Sequence, residues 1–232
     1  LIHEWTELDP LFRLSYIPSH LWSKVFFLGT VLALFHVYKR ERTGLWIGIG
    51  VISALFMGFS SPVIIATAGV VYAGMFLWGA LKTRSLSHIL HTPWILFSFV
   101  LGLVSLVVAI YHRSVQQDVF PWTSYLAWET VKYPIGLWEY VASFGPALPL
   151  GIVGFIVGRR QHPFFASLFA LWGISGFLGL FVFATILPLS NIRFLEGYQY
   201  IPITMLAAWA VVWIGKRRSM FWIVTAIFCL YG

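Results

Sequence analysis

Charge is scarce in this chain. Only 10% of its 232 residues are Asp, Glu, Lys or Arg, against about 25% in an ordinary soluble domain. A water-facing surface needs those charges, so a soluble globular domain is excluded. With 59% hydrophobic residues, so is a disordered chain. Acids are outnumbered by bases, eight to fifteen, but the placement of the charges explains the net +7 without a nucleic-acid partner, and none is expected. Cysteine is limited to Cys229, which sits in an apolar run and permits neither an intrachain disulfide nor a multi-cysteine metal site. The HExxH, Walker A, GxSxG and CxxC patterns are absent. No signal-peptide pattern opens the chain.

What remains is a series of long apolar runs with short charged punctuation, at 21–38, 44–59, 63–81, 94–111, 146–158, 164–187, 201–215 and 221–231. A bilayer core about 30 Å thick takes about 20 helical residues. The runs starting at Leu21, Val63 and Phe164 meet that length, Trp94 to Tyr111 just does, and the shorter ones span if the bilayer thins. None shows the strict alternation of a membrane β-barrel. The expected fold is all-α: one polytopic transmembrane bundle over 1–232, with seven complete spans and one truncated. The sequence begins at Leu1 and stops within an apolar run, so we expect it to be a piece of a longer chain.

If each run crosses once, the charges separate. One side holds ten bases, at 39, 40, 42, 82, 84, 159, 160 and 216–218, with Glu41 as its single acid. The other holds five bases and seven acids. By the positive-inside rule the basic turns 39–42, 82–84, 159–160 and 216–218 are cytoplasmic, in a multi-pass protein of the cell membrane.

The opposite, outer side carries the longest polar segments. The segment 113–144 is dense in aromatic residues, among them Trp122, Tyr125 and Trp128. Residues 122–133 are expected to form a helix lying in the interface and ended by Pro134. Two readings stand: a plain aromatic anchor, or a platform on which sugar rings stack. Glu7 and Asp9 form a carboxylate pair suited to general-base work or to a divalent metal, the one cofactor the sequence suggests; the alternative is a solvated loop. In Asn191-Ile192-Arg193-Phe194-Leu195-Glu196-Gly197-Tyr198-Gln199, the i, i+3 spacing puts Arg193 and Glu196 on one helical face. Arg193 would grip a phosphate bidentately and Glu196 or Gln199 would orient it. Alternatively, Arg193 and Glu196 neutralise each other at a helix entrance. Ser60-Ser61-Pro62 reads as a tight outer turn, and His36 as a packed histidine. His88, His91 and His162 lack metal-ligand spacing. The glycines at 44, 48, 50 and 58, and at 151, 154 and 158, mark close helix packing.

The order of these features resembles the later part of bacterial type C glycosyltransferase-like integral membrane proteins, relatives of the dolichyl-phosphate-mannose mannosyltransferases. The features are a basic turn, a glycine-rich span, a break with Pro and another span over 42–82. Next come the aromatic segment and Phe144-Gly145-Pro146-Ala147-Leu148-Pro149-Leu150-Gly151, opening a span that ends in Arg159-Arg160. Leu187-Pro188-Leu189, Arg193-Phe194-Leu195-Glu196-Gly197 and Ile201-Pro202-Ile203 follow. The resemblance implies an enzyme that transfers a sugar from a polyprenyl-phosphate carrier on the extracytoplasmic face, with the bilayer and the lipid-linked sugar as its partners. Such enzymes keep an essential acid in an outer loop after their first span. No span precedes Glu7 and Asp9 here, so the resemblance places that acid in a missing N-terminal part and carries over only Arg193 and Glu196, for the carrier phosphate. The alternatives from other classes are a transporter or flippase for lipid-linked glycans and a non-catalytic membrane assembly protein.

Overall fold

A computed structural model describes residues 18–83, 85–118, 131–186, 190, 191, 194 and 199–215. Among them all regular structure is helical: α1 Pro18–Lys39, α2 Thr43–Ser60, α3 Pro62–Thr83, α4 Leu86–Leu90, α5 Pro93–Asp118, α6 Leu137–Ser143, α7 Ala147–Gln161, α8 Pro163–Leu178 and α9 Tyr200–Gly215. Helix α8 continues through a π turn, Gly179–Phe183, to Ala184–Ile186. Proline sets many of the starts. Pro18, Pro62, Pro93 and Pro163 each occupy the first helical position, where the missing N–H costs nothing and φ is already helical.

Five helices are long and apolar enough to cross a membrane: α1, α2, α3, α5 and α8 with its extension. A sixth follows if α6 and α7, bent by 74° at their junction, count together. Helix α9 is apolar but has 16 residues, about 24 Å of rise. The expected span at 146–158 is therefore one arm of a broken element, and 221–231 lies outside the described residues. The break is built by Gly145, whose φ of 50° ends α6, and by Pro146, which caps α7. The interfacial helix expected over 122–133 needs correction at its end. Residues 131–136 carry no helix, and the helical segment here is α6, beyond Pro134. Residues 122–130 lie outside the description.

Helices α1, α2, α3 and α5 pack into one group. Helix α8 joins it to α7 and α9 by laying Phe164, Leu168 and Trp172 into the same core as Phe27, Leu34, Tyr72 and Leu101. Successive long helices run in alternating directions, as side-chain contacts at both ends show. At one end Tyr38 of α1, Trp78 of α3, Trp94 of α5 and Phe164 of α8 form a ring cluster with centroid distances of 4.0–6.0 Å. At the other, His112 of α5 hydrogen-bonds the Gly58 carbonyl of α2 at 2.7 Å. The turn at 40–42 and the basic ends of α3 and α7 thus share one end of the bundle. There His36 stacks on Trp46 at 4.0 Å and meets Glu41 at 2.7 Å, a packed histidine as its sequence suggests. Ser60 and Ser61 make the tight α2–α3 turn, with the Ser61 N–H donating to the Met57 carbonyl.

The outside of the bundle is apolar too. Leu32, Ile52, Phe56, Leu77, Leu106, Val107 and Ile110 are all exposed. Helices apolar on every face suit surroundings of lipid, and a patch this extensive is foreign to a soluble monomer.

The glycines divide. A Cβ on Gly154 would overlap the Leu206 carbonyl oxygen, so α7 and α9 meet backbone to backbone. Gly151 faces Ile203 and Gly158 faces the Trp209 ring. Gly50 abuts Phe97 and Gly58 abuts Val108, as expected. Gly44 and Gly48, expected in a helix contact, face open space.

Candidate functional site

Buried polar groups gather at the end of the bundle away from the basic turns, where the segment 131–144, the end of α8 and the start of α9 converge. Gln199, one of the residues expected to bind substrate, precedes α9 and is 2% exposed. Among the described residues its Nε2 has no hydrogen-bond partner. Tyr140 of α6 is buried beside it, and its hydroxyl also lacks a partner among the described residues. Both reach Gly176 of α8: a Cβ there would sit 2.9 Å from the Tyr140 hydroxyl and 3.0 Å from Gln199 Cδ. The glycine thus keeps open a small space between two polar groups. The Ser190 hydroxyl, 2% exposed, is likewise without a partner among the described residues. Leaving such a group buried without a partner costs about 1–3 kcal/mol, so the cluster is costly unless something polar joins it.

The frame around these groups is firm. The Tyr140 ring is clamped edge-on by Phe144 at 5.1 Å and Phe181 at 5.7 Å. Tyr200 donates to the Ser143 hydroxyl at 3.0 Å. One turn beyond Gly176, Phe194 packs on Gly179, the first residue of the π turn. π turns recur at functional sites because they loosen the regular i to i−4 bonding and expose carbonyls. Here Lys132 donates to the Ala184 carbonyl, just past the turn, at 2.5 Å. Asn191 holds Tyr133 by both its backbone groups: the Tyr133 N–H donates to Oδ1 at 2.9 Å, and Nδ2 donates to the Tyr133 carbonyl at 2.7 Å. Asn191→Ala removes both bonds and strands two partly buried backbone groups. We expect a loss of about 2 kcal/mol, read as a lower unfolding midpoint in detergent. Asn191→Asp, which keeps only the acceptor, should also fall below wild type.

Of the residues expected in the sequence to carry catalysis, bind the carrier or form the aromatic platform, Gln199 is the one described. Glu7, Asp9, Trp122, Tyr125, Trp128, Arg193 and Glu196 lie outside the described residues. Among the described residues no three His, Cys, Asp or Glu come together as a metal site. Tyr140, Ser190 and Lys132 were not legible as site residues. Tyr140 reads only as one more aromatic, and its partner in space is 59 positions away. Lys24, which the charge pattern assigns to the outer side, is only 7% exposed within α1.

A hydroxyl and a carboxamide N–H aimed into a small buried space can donate to an oxygen-rich group, such as a phosphate or a sugar hydroxyl. No protein-family model matches the chain, and neither a curated protein nor a solved structure is significantly similar to it.

Proposed function

We propose that the chain is the membrane domain of a glycosyltransferase-like enzyme that takes a sugar from a polyprenyl-phosphate carrier at the extracytoplasmic face. The observation that carries this reading is the pair of buried groups, Tyr140 and Gln199, unpartnered among the described residues and held around Gly176 at the end opposite the basic turns. In this reading the basic turns are cytoplasmic. The chain crosses the bilayer seven times, with 221–231 beginning an eighth passage. Arg193 and Glu196, in the same connection as Gln199, complete the grip on the carrier phosphate, and Trp122, Tyr125 and Trp128 line the approach to it.

The acceptor hydroxyl attacks the anomeric carbon while an outer carboxylate removes its proton. The bond from that carbon to the phosphate oxygen breaks, and the carrier phosphate leaves with the bonding electrons. Arg193 stabilises the charge that develops on it. Arg193→Ala in the full-length protein, assayed with a polyprenyl-phosphate sugar, should lower turnover about 100-fold. Unchanged turnover and donor affinity reject the role.

A second reading rests on Lys24, a cation buried within α1. Ionisable groups inside membrane helices often mark transport paths, so a flippase for lipid-linked glycans is the competing class. Reconstituted vesicles that move such a lipid between leaflets without releasing its sugar would select it.

A further inference from the structure

At the basic end, away from the Tyr140–Gln199 site, a cavity of about 410 Å³ opens between α7 and α9. Its walls are Val153, Ile156, Val157, Arg160, Gln161 and Trp213. Four of these, at 153, 156, 157 and 160, follow the i, i+3, i+4, i+7 spacing of a single helical stripe. The groove therefore grades along α7 from aliphatic to cationic. Among the described residues Arg160 has no ion-pair partner: neither α7 nor α9 contains an Asp or Glu, Glu139 sits in α6 at the opposite end of α7, and Glu41, at the basic end, pairs with His36.

A groove that is apolar along its length and cationic at its mouth is complementary to an amphiphile with a negative head. We propose that it holds an anionic membrane phospholipid, with the phosphate on the Arg160 guanidinium and the Gln161 carboxamide and an acyl chain along Val153, Ile156 and Val157. Basic pockets between membrane helices recognise lipid headgroups in this way, and a guanidinium meets a phosphate bidentately. The indole of Trp213 is the kind of group that settles at headgroup depth. This site is independent of the glycosyl-transfer reading and stands or falls without it.

The test uses full-length protein in detergent, with phosphatidylglycerol, phosphatidylcholine and inorganic phosphate as separate probes, read by thermal unfolding and by native mass spectrometry. Phosphatidylglycerol should bind and raise the unfolding midpoint, whereas phosphatidylcholine and inorganic phosphate should not. Arg160→Gln should weaken phosphatidylglycerol about tenfold. Ile156→Trp, at an exposed position on the groove wall, should do the same by filling the acyl track. Arg42→Gln, at another turn of the same end, should leave the affinity unchanged. The proposal is overturned if both groove variants bind phosphatidylglycerol as wild type does, or if the neutral lipid or free phosphate protects equally. Protection that follows protein concentration instead of lipid would assign the groove to a second copy of the chain and overturn it too.

Discussion

Gly154→Ala is expected to be among the most damaging single-methyl changes in this protein. The added carbon has no room, because it would overlap the Leu206 carbonyl oxygen and come within 2.6 Å of that carbonyl carbon. These are backbone atoms inside α9, so no rotamer change relieves the clash. Helices α7 and α9 must move apart, and the contacts of Gly151 with Ile203 and of Gly158 with Trp209 loosen with them. Overpacking usually costs about 1–3 kcal/mol, and a backbone obstacle belongs at the upper end, so we expect about 3 kcal/mol. Gly48→Ala is the control. Among the described residues nothing lies within 4 Å of its added Cβ, and alanine is the better helix former, so its unfolding midpoint should match or exceed wild type. If the two variants unfold alike, the backbone contact between α7 and α9 is wrong.

The second large effect is a pair of opposite shifts in one set of variants. Tyr140→Phe and Gln199→Leu each remove a buried polar group that has no partner among the described residues. Removing such a group gains stability, by about 1 kcal/mol each. If the same groups hold the donor's oxygens as proposed above, turnover with a polyprenyl-phosphate sugar should fall about 100-fold. A residue kept for packing gives the opposite pattern, lost stability with unchanged turnover. Gly176→Ala, which would place its methyl 2.9 Å from the Tyr140 hydroxyl, should lower turnover by occupying the same space. More stable and less active is the signature of groups retained for binding.

Much of the helical layout is legible in the sequence, for a simple reason. Runs such as 21–38 and 164–187 are uninterrupted, and each is bounded by prolines or basic residues that act locally on the backbone. Which way a helix faces is far less legible. Helix α2 is apolar on every side, so its pattern cannot separate Gly48, which looks outward, from Gly50, which meets Phe97. In soluble proteins polar residues mark the outer face, and a lipid-facing surface erases that mark. The bend at Gly145 sits inside the Phe144-Gly145-Pro146 string, yet the string alone does not say that α6 should turn away by 74°. The π turn at Gly179–Phe183 is hidden in an apolar run with glycines at 173, 176 and 179, none of which marks it out from the others. The site was half legible. Gln199 stands in a polar connection that draws notice, whereas Tyr140 becomes interesting only once folding brings it to Gly176.

Single-cysteine labelling in cells tests the threading of these helices through a bilayer most directly. In a Cys229→Ser background, Trp138→Cys and Val131→Cys should react with an impermeant maleimide added to intact cells. Arg40→Cys and Gln161→Cys should react only after the membrane is opened. Labelling of position 40 or 161 from outside, or equal labelling of all four, would contradict the account.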